Sequence, residues 1–194
     1  MTEIDRTAHF LRRACPASSL RVLTEVFETA DLQEGGFDLG VAATAFHWLE
    51  EDSALARIAR LLKPGGWWAA LWNVFGDDSR PDPFHEATQT LLADSQSPSA
   101  GTGGVPFALD EAARIAALHR THAFQDILHH VSRWELTLTA DQTVALYATY
   151  SNIMARADRA RVLVELRRIA ENQFAGRVVR NMSTSLFLAR RRLT

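Results

Sequence analysis

Two pairs of histidines have a spacing that suits a metal ion: His119 and His122 stand three apart, and His129 and His130 are adjacent. No cysteine or carboxylate completes a ligand set around either pair, so both read as surface histidines on a helix and a loop, and no metal site is expected. Gly101-Thr102-Gly103-Gly104 could pass for a phosphate loop. A phosphate cradle needs strand, loop and helix N-terminus in succession, whereas this cluster follows Ser/Pro linker and has Pro106 just behind it. Arg177, Arg180 and the run Arg190 to Arg192 read as a solvated basic tail in a slightly acidic chain. What remains is the stretch from Phe37 to Asn73, where His47 and Trp48 stand between two apolar runs.

Elements must position those residues. Phe37-Asp38-Leu39-Gly40-Val41-Ala42-Ala43 is a near-continuous run of small and branched residues, which predicts a strand buried on both faces. A helix over about Asp52 to Leu62 carries Leu55, Ile58, Ala59 and Leu62 at helical spacing, with Glu50, Glu51 and Asp52 at its positive end. Lys63-Pro64-Gly65-Gly66 turns the chain into a second apolar strand, Trp67 to Asn73. Strand, crossover helix and strand predict an α/β fold with a parallel sheet. Before them, Thr2 to Asp5 reads as the tail of a strand, Arg6 to Ala14 as a helix stopped by Cys15-Pro16, and Leu20 to Thr24 as another strand. After them come helices over Phe84 to Ala93 and Leu109 to His119, a strand over Val131 to Leu138, and a helix opened by the capping box Thr139-Ala140-Asp141-Gln142. An amphipathic helix over Asp158 to Phe174 and short strands at Val178 to Met182 and Ser185 to Ala189 complete the pattern.

Composition narrows the partners. The chain has 194 residues and a formal charge of -2, one domain's worth with no electrostatic case for nucleic acid or membrane. Cys15 is the only cysteine, which excludes an internal disulfide and suits a reducing cytoplasm. Met1 to Arg6 is charged where an export signal would be apolar, and charges interrupt every apolar stretch before a membrane span is reached.

The run from Phe37 to Asn73 resembles the fourth and fifth strands of class I S-adenosylmethionine-dependent methyltransferases, in the branch marked by a Phe-His-Trp signature, here Phe46-His47-Trp48. The resemblance implies a Rossmann-like sheet with helices on both faces, in the order 3-2-1-4-5-7-6, with S-adenosylmethionine across the carboxyl ends of the strands where the order reverses. It places Glu3 or Asp5 on the ribose hydroxyls, where a carboxylate accepts two hydrogen bonds from a diol. It sets Phe27 and Glu28 against the adenine, and Ala42 and Ala43 beside the methionine part. His47 is implied as a base where the nucleophile starts protonated, or else as a packing residue, and Trp48 as a wall of the cleft. Trp72, Asn73, Trp134, Tyr147, Tyr150 and Ser151 offer aromatic and amide surface for a flat or acidic small-molecule acceptor.

The family's first strand and glycine loop have no counterpart here, so the resemblance implies an N-terminally truncated domain. Its parts are residues 1–75 with strands two to five, 76–130 as an inserted substrate or cap region, and 131–194 as the remaining strands and helices. Two functions follow as expectations. One is methyl transfer to a small molecule, with the competence of a shortened chain in question. The other is a non-catalytic remnant acting by pairing, for example as a homodimer through the exposed flank of the fourth strand.

Overall fold

Small and β-branched residues build the central strands. In the computed structural model, which describes residues 2–4, 21–75, 80–93 and 105–193, β1 (Thr2–Ile4) pairs in parallel with β2 (Arg21–Leu23). β3 (Phe37–Ala43) pairs in parallel with β4 (Leu62–Phe75), and β6 (Arg177–Arg191) runs antiparallel between β4 and β5 (Phe124–Thr139). Asp5, Cys15, the helix expected over Arg6 to Ala14, the glycine cluster and the side chain of Glu3 lie outside the described residues. The hydrogen-bonded orders are β1-β2 and β3-β4-β6-β5. Laid end to end, they follow the expected 3-2 and 4-5-7-6, and among the described residues no strand pairs between β1 and β3.

Helix α1 (Glu51–Leu61) crosses from β3 to β4, capped by the Glu50 carboxylate, which accepts from the Asp52 and Ser53 amides. Gly66 is required where β3 meets the turn: a Cβ there would lie 3.0 to 3.2 Å from the carbonyl oxygens of Lys63, Asp38 and Phe37. Leu55, Ile58 and Ala59 of α1, with Ala117 and Leu118 of α3 (Glu111–Arg120), bury one face of the sheet at Trp68, Ala70, Trp72, Phe187 and Ala189. On the opposite face, α2 (Pro83–Leu92), α4 (Ala140–Tyr147), the short α5 (Ser151–Met154) and α6 (Arg159–Phe174) enclose a second core at Phe84, Tyr147, Ile153, Leu166 and Val178. The capping box at α4 forms as expected: Thr139 Oγ1 accepts from the Gln142 amide at 3.2 Å, and Gln142 Oε1 from the Thr139 amide at 2.9 Å.

Several expectations are corrected. β3 is not buried on both faces: Gly40 and Ala42 are half-buried on one, while Leu39 and Val41 on the other are 54% and 55% exposed, because no described helix covers that side. β5 begins at Phe124, so a boundary at 130/131 falls inside a strand. The two short C-terminal strands are one long β6. Arg180 is no solvated tail residue, being 1% exposed, and His129 packs into the sheet with its side chain 9% exposed.

Candidate active site

The parallel strands β3 and β4 end on the same side of the sheet, and the sequence supplies an abrupt turn there. Thr44, directly after β3, holds φ at 50°, a left-handed conformation that costs a β-branched residue on the order of 1–3 kcal/mol. Its amide donates to the Leu71 carbonyl at 2.7 Å, which ties the turn to β4. The strain is thereby held in place. The chain then forms one 3-10 turn, Phe46–Trp48, which drives Phe46 into the core edge-on to Trp68 at 5.4 Å and leaves His47 half-buried and Trp48 57% exposed.

Trp72, which follows Leu71 on β4, is 2% exposed, and its indole N–H donates to His47 Nδ1 at 3.0 Å. An indole N–H can only donate, so Nδ1 must present its lone pair and the neutral ring carries its hydrogen on Nε2. Burial lowers the His47 pKa, which favours the same uncharged form. The rings of Trp48 at 5.4 Å and Phe107 at 6.3 Å flank the imidazole. Phe107 is placed by a 3-10 turn, Phe107–Leu109, whose Ala108 carbonyl accepts from Ser185 Oγ at 2.6 Å. Ser185 in turn meets His129 Nε2 at 2.9 Å, and His129 Nδ1 lies 3.3 Å from Glu111. With Ser185 fully buried, this serine, histidine and carboxylate series fastens the Phe107 turn to the sheet and leaves no hydroxyl open to a substrate.

Asn73 points to the opposite face from Trp72, as strand alternation demands. Its Oδ1 accepts from Thr184 Oγ1 at 2.8 Å, and Thr184 Oγ1 accepts from the Trp134 indole at 2.9 Å. On that face Phe75 stacks against Tyr147 and meets Tyr150 edge-on, with Arg180 4.3 Å above the Phe75 ring. Arg180 Nε lies 2.9 and 3.1 Å from the Asp82 carboxylate, and its Nη1 donates to the Tyr147 hydroxyl. Tyr147 is therefore core, 4% exposed, and burial raises its pKa. The Tyr150 hydroxyl is buried without a hydrogen-bond partner among the described residues, and burial raises its pKa as well. Ser151 opens α5 on the surface.

Residues expected around a cofactor divide in two. Ala43 is exposed and Ala42 half-buried at the end of β3, so among the described residues that backbone is open to approach. Phe27 is half-buried and its neighbour Glu28 exposed, in a segment held by Arg57, which donates to the carbonyls of Phe27 and Ala30. An aromatic face, a carboxylate and an open strand end have the chemistry for the nucleoside half of S-adenosylmethionine. Among the described residues no glycine loop offers amides to its methionine half. Sequence reasoning missed Phe107, Arg180 and Asp82; Asp82 followed by Pro83 was the available signal, since it caps α2 through the His85 amide at 2.9 Å.

Residues 1–70 match a family model described as a methyltransferase domain. The structure resembles a phosphoethanolamine N-methyltransferase 2 from Haemonchus contortus, solved with phosphomonomethylethanolamine and S-adenosylhomocysteine, at 15% identity and a TM-score of 0.52 over 98% of this chain and 43% of that one. A putative type II methyltransferase from Anaeromyxobacter dehalogenans matches at 18% identity and 0.55, over 99% of this chain and 80% of that one. The fold is the Rossmann-like one of these methyltransferase structures. It is shared by the [4+2]-cyclase SpnF, at 16% identity and 0.53 over 100% of this chain and 67% of that one. No curated protein matches the sequence. This methyltransferase-like chain thus spans less than half the length of the Haemonchus enzyme it resembles.

Proposed function

We propose that the protein transfers a methyl group from S-adenosylmethionine to a small molecule. The observation that carries this reading is the His47, Trp48, Trp72 and Phe107 cluster at the carboxyl ends of two parallel strands, beside the open backbone of Ala42 and Ala43. In this reading Phe27 and Glu28 take the adenine, and Glu3 or Asp5 the ribose. When bound, the cofactor supplies an electrophilic methyl on sulfur. The chain's own work is to align the acceptor, with Trp48 and Phe107 as walls, and to keep water from the reacting atoms. Residues 1–75 form the cofactor side, the region up to Ala123 the cap, and the rest completes the sheet. No helix among the described residues is long and apolar enough to cross a membrane, and a cytoplasmic setting is proposed from the single cysteine.

S-adenosylhomocysteine tests the proposal. At a hundredfold excess over Kd it stabilises a binding protein by about 2.7 kcal/mol, which for a chain of this size raises Tm by about 5–10 °C, and Glu28→Ala or Glu3→Ala should shrink the shift. A flat melting curve at millimolar ligand refutes cofactor binding. One observation favours a second reading, since β3 presents an exposed apolar edge. A flat curve accompanied by concentration-dependent dimers in sedimentation would support a non-catalytic chain that pairs through that edge.

A further inference from the structure

We propose that His47 serves as a fixed hydrogen-bond donor through Nε2–H to an ionised carboxylate on the methyl acceptor, so that the substrate is a planar carboxylic acid methylated on oxygen. This deepens the reading above and rests on it. The argument starts from Trp72, whose buried indole N–H occupies His47 Nδ1. Accepting a proton at Nε2 would require the ring to become imidazolium or to shift its tautomer, and either change sets an N–H against the indole N–H. Burial lowers the His47 pKa and so works in the same direction. His47 is thus a poor base and a good donor.

Two charged side chains near the Phe107 wall are engaged with each other: Arg114 lies 3.5 Å above the Phe107 ring and 2.9 Å from Glu51. Where the described residues present no free base beside His47, an acceptor already ionised at neutral pH is suited. A carboxylic acid is ionised, with a lone pair ready to attack, whereas a phenol or an amine is still protonated at neutral pH and would need a base. The transfer balances without a proton. One carboxylate oxygen forms the new bond to carbon as the sulfur–carbon bond of the sulfonium breaks, the bonding pair returns to sulfur, and the two opposite charges cancel to give a neutral ester and a thioether. His47 holds the other oxygen, a hydrogen bond strengthened by the carboxylate's charge. The Trp48 and Phe107 rings, 5.4 and 6.3 Å from the imidazole, offer aromatic faces suited to a flat body.

Long-range proton–nitrogen correlation spectra of the full chain labelled at histidine nitrogen read the tautomer directly. The expected result at pH 7 is an unprotonated Nδ1 and a protonated Nε2; the reverse tautomer or an imidazolium overturns the proposal without any variant. Titration with sodium benzoate and with benzamide, each with and without S-adenosylhomocysteine, reads the second element. Benzoate should bind about tenfold more tightly than benzamide, the difference expected for one charge-assisted hydrogen bond. His47→Gln, which keeps an amide donor, should retain that preference and His47→Phe should lose it. Equal binding of the two probes to the wild type also overturns the proposal. If S-adenosylhomocysteine raises Tm while the tautomer or the preference fails, only this inference falls. If Tm is flat while both hold, the methyl-transfer reading falls and a carboxylate site stands.

Discussion

Two aromatic clusters flank the end of β4 on opposite faces of one sheet, and they treat their polar atoms differently. On one face, Phe75, Phe84 and Tyr147 surround Arg180, whose guanidinium is matched by the Asp82 carboxylate and the Tyr147 hydroxyl. On the other, Trp48, Trp72 and Phe107 surround His47, and no described residue partners its Nε2. A buried charge without its partner is expensive, so the first cluster has to be closed to be stable. The second keeps a neutral ring half in water and can leave one donor open. Rings of similar size at the same end of a strand thus serve a framework on one side and leave a surface for a ligand on the other.

Variants can break this contrast, beginning with the framework. Asp82→Ala strands Arg180 and removes the cap of α2, and is expected to lower unfolding free energy by about 3–5 kcal/mol in urea titrations. Replacing both partners, Asp82→Leu with Arg180→Met, should recover much of that loss, since no bare charge remains. Trp72→Phe deletes an indole and its hydrogen bond inside the other core, for a loss of roughly 1–3 kcal/mol. The same variant frees His47 Nδ1, so the ring's titration followed by NMR should move upward in pH. Because the folded state holds the His47 pKa below 6.5, the unfolded chain binds its proton first as the medium is acidified. The His47 contribution is therefore complete above pH 6.5 and is lost as the pH falls from there through the lower folded value. Unfolding free energies at pH 7.5 and 5.5 should differ less in His47→Gln than in the wild type. Trp48→Ala lies at the mild end, with stability changed by less than about 0.5 kcal/mol at so exposed a site, while acceptor binding weakens in calorimetry.

The run from β3 through α1 to β4 was legible in the sequence because it is local: acids before an apolar helical stripe, and a glycine turn before a second apolar run. The capping box at Thr139 was legible for the same reason. Arg180 was not, since a lone arginine in a short run looks solvated until Asp82, almost a hundred residues earlier, is brought to it by pairing of strands far apart in the chain. His129 misled similarly, because its partners Ser185 and Glu111 come from β6 and α3. The exposure of Leu39 and Val41 was hidden too: their residue types suit either a central strand or an edge, and only neighbours decide. His47 and Trp72 could each be named from the run, but the bond between their rings required β3 and β4 to pair in register.

β3 carries a practical consequence. Among the described residues its outer flank joins unpaired main-chain groups to two bare aliphatic side chains, a combination that recruits other extended segments and drives clumping when a protein is concentrated or refolded. Asp38 is the sole charge on that strand, and the ammonium of Lys63 lies 2.8 Å from it, so its repulsion is muted. A lysine in place of Leu39 or Val41 should keep the purified chain dispersed at concentrations where the parent turns cloudy, with turbidity as the readout.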